Sequence, residues 1–80
     1  MPEAASYRPG EVIVQFAEDI SGTARLRIIA ELGHAVLSEF RNLDMFLVSV
    51  PVGEEGRNVA RYNARPEVLF ADLNYMGELT

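Results

Sequence analysis

HAVLSEFRNLDMFLVSVP, residues 34–51, contains two strand-like runs, HAVLSEF and DMFLVSVP, joined by Arg41-Asn42-Leu43. The joint is short enough for a hairpin, whose two strands lie antiparallel. On the N-terminal side, residues 23–32 place Ala24, Ile28, Ile29 and Leu32 on one helical face. Ser21 stands where an N-cap belongs and Gly33 where a left-handed helix stop belongs. Before that helix, Pro9-Gly10 signals a turn, after which Val12, Val14 and Phe16 alternate with Glu11, Ile13 and Gln15 as a first strand. On the C-terminal side, Glu54 and Glu55 suit the positive end of a helix dipole, Val59 and Tyr62 are about one turn apart, and Pro66 stops the helix. Gly56 near its start costs about 1 kcal/mol relative to alanine, which makes this second helix the weaker one. Val68 and Phe70 alternate with Leu69 and Ala71 as a last strand, and the period of two dissolves from Asp72 onward. A central hairpin flanked by two helices gives the order βαββαβ. This is the split α+β arrangement, ferredoxin-like, with a four-stranded antiparallel sheet and both helices on one face.

The chain has 80 residues, enough for one domain with a small core and modest stability. It divides by pattern into a loose lead-in over residues 1–8, a folded body over 9–74 and a tail over 75–80. There is no cysteine, so no disulfide or thiolate metal site supports the fold. Seven basic side chains, all arginine, stand against twelve acidic ones, for a formal charge of -5. Nucleic-acid binding rests on clustered cations facing phosphates, so this balance argues against it. The apolar runs are too short to span a membrane, and Met1-Pro2-Glu3 lacks the basic start and long apolar stretch of a signal peptide. Soluble behaviour without a membrane partner is expected.

Two helices cover only one face of such a sheet, and the other face should be polar if the domain works alone. The pattern puts Val12, Val14, Phe16, Val36, Phe40, Phe46, Val48, Val50, Val68 and Phe70 under the helices. Alternation then turns Ile13, Leu37, Met45, Leu47, Leu69 and Ala71 to the open side. An apolar patch of that kind on a small domain marks a protein interface.

YRPGEVIVQF (residues 7–16), ELGHAVLSEF (31–40), FLVSVP (46–51) and RPEVLFADLNY (65–75) together resemble the propeptide domain of subtilisin-like serine proteases, the inhibitor-type prosegment family. The resemblance runs from Tyr7 to the end of the chain, and the family has the same βαββαβ order. It implies an intramolecular chaperone and inhibitor whose partner is a subtilisin-like protease domain, in cis or in trans. The open sheet face would pack on two surface helices of the protease, and the C-terminal tail would lie in the active-site cleft as a product-like strand. Strand addition supplies the physics: main-chain hydrogen bonds give affinity and alternate side chains fill the subsites.

By the same resemblance, the family's acidic residue that caps the N-termini of the partner's helices falls on Asp72, where a carboxylate meets a positive dipole end. Asn74 and Tyr75 match the family, whereas Leu73 stands where proline or glutamate is usual. With Thr80 as the last residue, Thr80, Leu79, Glu78 and Gly77 would occupy the first to fourth subsites. Gly77 fills an apolar fourth pocket poorly, and a shifted register puts Met76 there. The tail so implied is Tyr75, Met76, Gly77, Glu78, Leu79 and Thr80. Secretion is a further implication of the family.

No catalytic constellation stands beside these features. His34 is the only histidine, Ser38, Asp44 and Ser49 are scattered over the sheet, and no nucleophile motif or metal-ligand spacing occurs. No enzyme activity, cofactor or metal is expected. Glu18-Asp19 reads as a turn before the first helix, Tyr62 as core, and Arg57, Arg61 and Arg65 as a solvated helix face with Arg57 and Arg61 near Glu54 and Glu55. The other functional class open to the sequence is a stand-alone ferredoxin-like interaction or regulatory domain that dimerises through its sheet. An inhibitor needs the tail, whereas a dimer needs only the sheet face.

Overall fold

The computed structural model describes residues 7–75. Four strands, β1 (Tyr7–Phe16), β2 (Ala35–Phe40), β3 (Met45–Ser49) and β4 (Val68–Tyr75), alternate with two helices, α1 (Gly22–Glu31) and α2 (Glu55–Asn63). The strands form one antiparallel sheet in the order β2-β3-β1-β4. This is the α+β, ferredoxin-like βαββαβ fold expected from the central hairpin. Arg41–Leu43 forms a single 3-10 turn between β2 and β3, and Asp44 closes it in the left-handed region at φ 57°.

Local chemistry sets the helix limits. Ser21 Oγ accepts a hydrogen bond from Ala24 N at 3.1 Å, which satisfies one of the free N–H groups of the first turn of α1. Gly33 ends the same helix at φ 85°, a conformation open to glycine and strained for other residues. In α2 the last residue precedes Pro66 by three positions, as the missing N–H of proline requires.

Val12, Val14 and Phe16 of β1, Phe46 and Val48 of β3, and Val68 and Ala71 of β4 pack with Ile28 and Ile29 of α1 and Tyr62 of α2. Phe16 and Phe46 meet edge to face with centroids 5.7 Å apart, the favoured geometry for two aromatic quadrupoles. Val36 and Phe40 do not join them. The helices leave β2 uncovered, and every residue of that strand is exposed.

Polar side chains bind the layers together. Arg25 of α1 is buried against the Phe16 ring and donates Nε to Ile20 O at 2.8 Å and Nη2 to Ala17 O at 3.0 Å. The same guanidinium pairs with Asp44 Oδ1 at 3.0 Å, tying the turn before α1 to the β2–β3 connection. Asn63, at the end of α2, accepts from Ala71 N at 2.8 Å and donates to Ala71 O at 3.1 Å, so it occupies both hydrogen-bonding groups of that β4 residue. Arg65 pairs with Glu31 Oε1 at 2.8 Å and joins the ends of the two helices, where a solvated stripe was expected.

Both ends of α2 are held by groups that titrate. Glu55 is buried; its Oε2 accepts from Gly10 N at 2.6 Å and its Oε1 from Gly53 N at 3.0 Å. The Gly10 N–H, above all, holds this carboxyl below its ordinary value of 4.5, against the opposing effect of burial. Near the other end, the Tyr62 hydroxyl lies 2.8 Å from Nδ1 of His34 in the α1–β2 turn. Burial first and the Arg61 charge second lower His34 from its ordinary 6.5, partly offset by the Asn58 side chain.

Both groups therefore favour folding when deprotonated, and their contributions are complete above the unfolded-state values. The thermal midpoint is expected to be flat between about pH 6.5 and about pH 9, to sag below that range as His34 takes up a proton, and to fall again below about pH 4.5 as Glu55 does. Burial raises the phenol of Tyr62, so above that range stability falls as the unfolded chain ionises first. Glu55→Gln should remove the second step and keep the first. A midpoint that rises on acidification through either window would contradict the assignment.

Candidate functional site

Side chains on the uncovered sheet face line up in rows set by strand register. One row is Phe40, Met45, Gln15 and Phe70; the next is Ser38, Leu47, Ile13 and Asp72; the third begins Ala35, Ser49 and Glu11. Asn74 completes the third row by donating Nδ2 to Glu11 Oε1 at 2.8 Å. Apolar side chains thus concentrate toward the end of β1 that leads into α1, and polar ones toward Gly10. The rows contain two carboxylates, Glu11 and Asp72, and no arginine.

Two bulges decide which residues reach this face. In β2 the pairing steps from Val36↔Val48 to Ser38↔Leu47, which leaves Leu37 as an extra residue. In β4 it steps from Val68↔Phe16 to Phe70↔Gln15, which leaves Leu69 extra. One unpaired residue inverts the alternation beyond it. Phe40 and Phe70, expected under the helices, consequently lie on the open face, each 43% exposed. Ala71, expected on the open face, is instead buried opposite Val14 on the helix side.

The remaining expected positions are placed as follows. Ile13, Met45 and Leu47 share the open face and are half-buried there by their neighbours. Leu37 and Leu69 are the bulge residues, 50% and 63% exposed. Asp72 lies on the open face beside Ile13, and its Oδ1 accepts from Leu73 N at 2.8 Å. Leu73 pairs with Val12 and so belongs to the opposite face. Asn74 is engaged with Glu11 through its amide nitrogen. The strand continues through Asp72 to Tyr75, where the sequence pattern had dissolved, and Tyr75 pairs with Tyr7. Met76, Gly77, Glu78, Leu79 and Thr80 lie outside the described residues.

Pattern reading missed Glu11, Phe40 and Phe70 as members of this face. The signal for Glu11 was available, because it shares the period of two with Ile13 and Gln15. Among the described residues there is no enclosed cavity, no group of three acidic, histidine or cysteine side chains placed to hold a metal, and no helix long and apolar enough to cross a membrane.

A βαββαβ chain with an antiparallel sheet and an apolar, uncovered face is the architecture to which the sequence resemblance pointed. The family model of the fervidolysin N-terminal prodomain matches residues 2–74. The chain belongs to that family. It is a prosegment of the subtilisin-like protease kind, and the match takes in all four strands of the prodomain up to Asn74. Comparison with curated proteins gives no match, nor does comparison with solved structures. The prodomain's most distinctive surface is the uncovered sheet face with Asp72 and Asn74 at its β4 border.

Proposed function

We propose that this prodomain is a non-catalytic inhibitor and folding assistant of a subtilisin-like protease domain, in cis or in trans, in a secreted setting. The observation that carries the reading is an apolar sheet face, left bare by both helices, in a chain of a protease prosegment family. Ile13, Met45 and Leu47 with Phe40 and Phe70 supply the buried centre of the contact, and Leu37 and Leu69 its edges. Asp72 meets the N-terminus of a protease helix, where a carboxylate faces a positive dipole end. Asn74 offers its amide oxygen beside it, since its nitrogen is taken by Glu11.

The tail from Tyr75 onward occupies the active-site cleft as an added strand, and the sheet face supplies much of the affinity. Linking two contacts on one body raises the local concentration of the weaker one. The test is an inhibition assay of the 80-residue chain against a panel of subtilisin-like proteases, beside a variant lacking residues 76–80 and a free peptide of residues 75–80. The intact chain is expected to compete with small peptide substrates, the truncated chain to bind without competing, and the free peptide to be weaker by about a hundredfold or more. Full competition by the truncated chain would remove the tail from the mechanism. Absence of inhibition together with a dimer in sedimentation would favour a self-associating module.

A further inference from the structure

The ladder between β1 and β3 ends at Glu11↔Ser49, yet β1 reaches back to Tyr7, which pairs with Tyr75 at the very end of β4. Between the pairs Tyr7↔Tyr75 and Val12↔Leu73, β1 advances five residues and β4 two, so β1 carries three extra residues. This large bulge is built, not frayed. Gly10 sits in it at φ 78°, and a Cβ there would stand 3.3 Å from Val50 O. Its N–H is held by Glu55 at 2.6 Å and its carbonyl accepts from Val50 N at 2.9 Å. On the open face, the Asn74–Glu11 hydrogen bond spans the two strands beside the bulge. Tyr75 is thus one side of a two-stranded ribbon clamped at its base to Glu55 of α2 and to Val50, the residue after β3.

We propose that the N-terminal arm, residues 7–10, is part of the inhibitory apparatus: it positions Tyr75, the residue directly before segment 76–80 of the proposed cleft-binding tail. This rests on the tail being the inhibitory element. A strand end without a partner frays, and its order must then be supplied at the moment of binding. Fixing the backbone of a single residue is worth about tenfold in affinity. Arm residues touch no substrate in this arrangement. They act through β4, with Glu55 and Gly10 as the clamp that sets their path.

The chain contains no cysteine, so a cross-link reads the pairing cleanly. Directly opposed antiparallel residues have Cα atoms within disulfide range. The double variant Tyr7→Cys with Tyr75→Cys, in the full chain, is expected to oxidise to an intramolecular disulfide. Its oxidised form should inhibit a subtilisin-like protease at least as well as its reduced form, which controls for the lost tyrosines. A second variant lacking residues 1–8, shown by circular dichroism to keep its fold, should inhibit about tenfold more weakly than the intact chain.

Failure of the disulfide to form, loss of inhibition on oxidation, or full inhibition by the folded truncated chain would each overturn the proposal. If the disulfide forms but neither the wild-type chain nor the reduced variant inhibits any protease, the inhibitor reading itself has failed and the brace falls with it. If the wild type inhibits and the pair does not cross-link, the brace alone has failed.

Discussion

Tyr62→Ala is expected to leave the domain close to unfolding at room temperature. Tyr62 is fully buried on α2, belongs to the core built from β1, β3 and β4, and lies 5.5 Å, centroid to centroid, from the ring of His34. Truncating a buried aromatic to alanine costs about 3–5 kcal/mol, because the contacts are lost and the cavity closes only in part. A chain of 80 residues has on the order of 4–12 kcal/mol in total. Tyr62→Phe isolates the hydroxyl, and its loss should cost only about 1 kcal/mol, since His34 is partly exposed and water can replace the bond. Urea unfolding followed by circular dichroism gives both values. A Tyr62→Ala midpoint near that of Tyr62→Phe would mean that the core around α2 is looser than its burial indicates.

Leu47→Glu carries the largest expected effect on binding. Leu47 stands in the middle row of the open face, between Ser38 and Ile13, so any partner that covers the face must cover it. A carboxylate placed there loses its hydration without gaining a partner, and central contacts of this kind are worth about 2 kcal/mol or more, roughly thirtyfold in affinity. Folding should change far less, because in the free domain the side chain is only half-buried and a carboxylate there stays in water. Calorimetric titration against a protease with its active-site serine blocked separates the sheet contact from the tail. Equal affinity of two folded proteins would exclude the face from the interface.

The topology was legible because each of its signals is local. Ser21, Gly33, Pro66 and the short joint at Arg41-Asn42-Leu43 act on their own segments, and the order of elements follows from them. Face assignment was legible only as far as the first irregularity. Leu37 and Leu69 are ordinary strand residues in apolar company, and nothing in their chemistry marks them as the unpaired members of their strands. Past each of them the period of two continues on the other face, so Phe40, Phe70 and Ala71 were inverted together.

Long-range polar contacts were legible in part. Arg25 lies one turn from Ile28 and Ile29, a spacing that puts it on the buried face, but its partners are carbonyls of a loop and a carboxylate from another hairpin. Glu55 read as a helix-dipole partner and does open α2, yet its strongest bond is to Gly10, which no window on the sequence brings near it. Arg65 likewise meets Glu31 only once the two helices are side by side.

The outer strands of the sheet have a consequence for behaviour at high concentration. β2 and β4 are the two borders, and a border strand offers its free N–H and C=O groups to any other chain that can lie flat against it. Here each border carries a bulge, at Leu37 and at Leu69, and on β4 the Asn63 side chain also blocks Ala71. A second copy cannot continue the ladder past these points in register. The domain can therefore display an apolar face toward a protein partner while its bulged edges resist strand-by-strand stacking into fibrils.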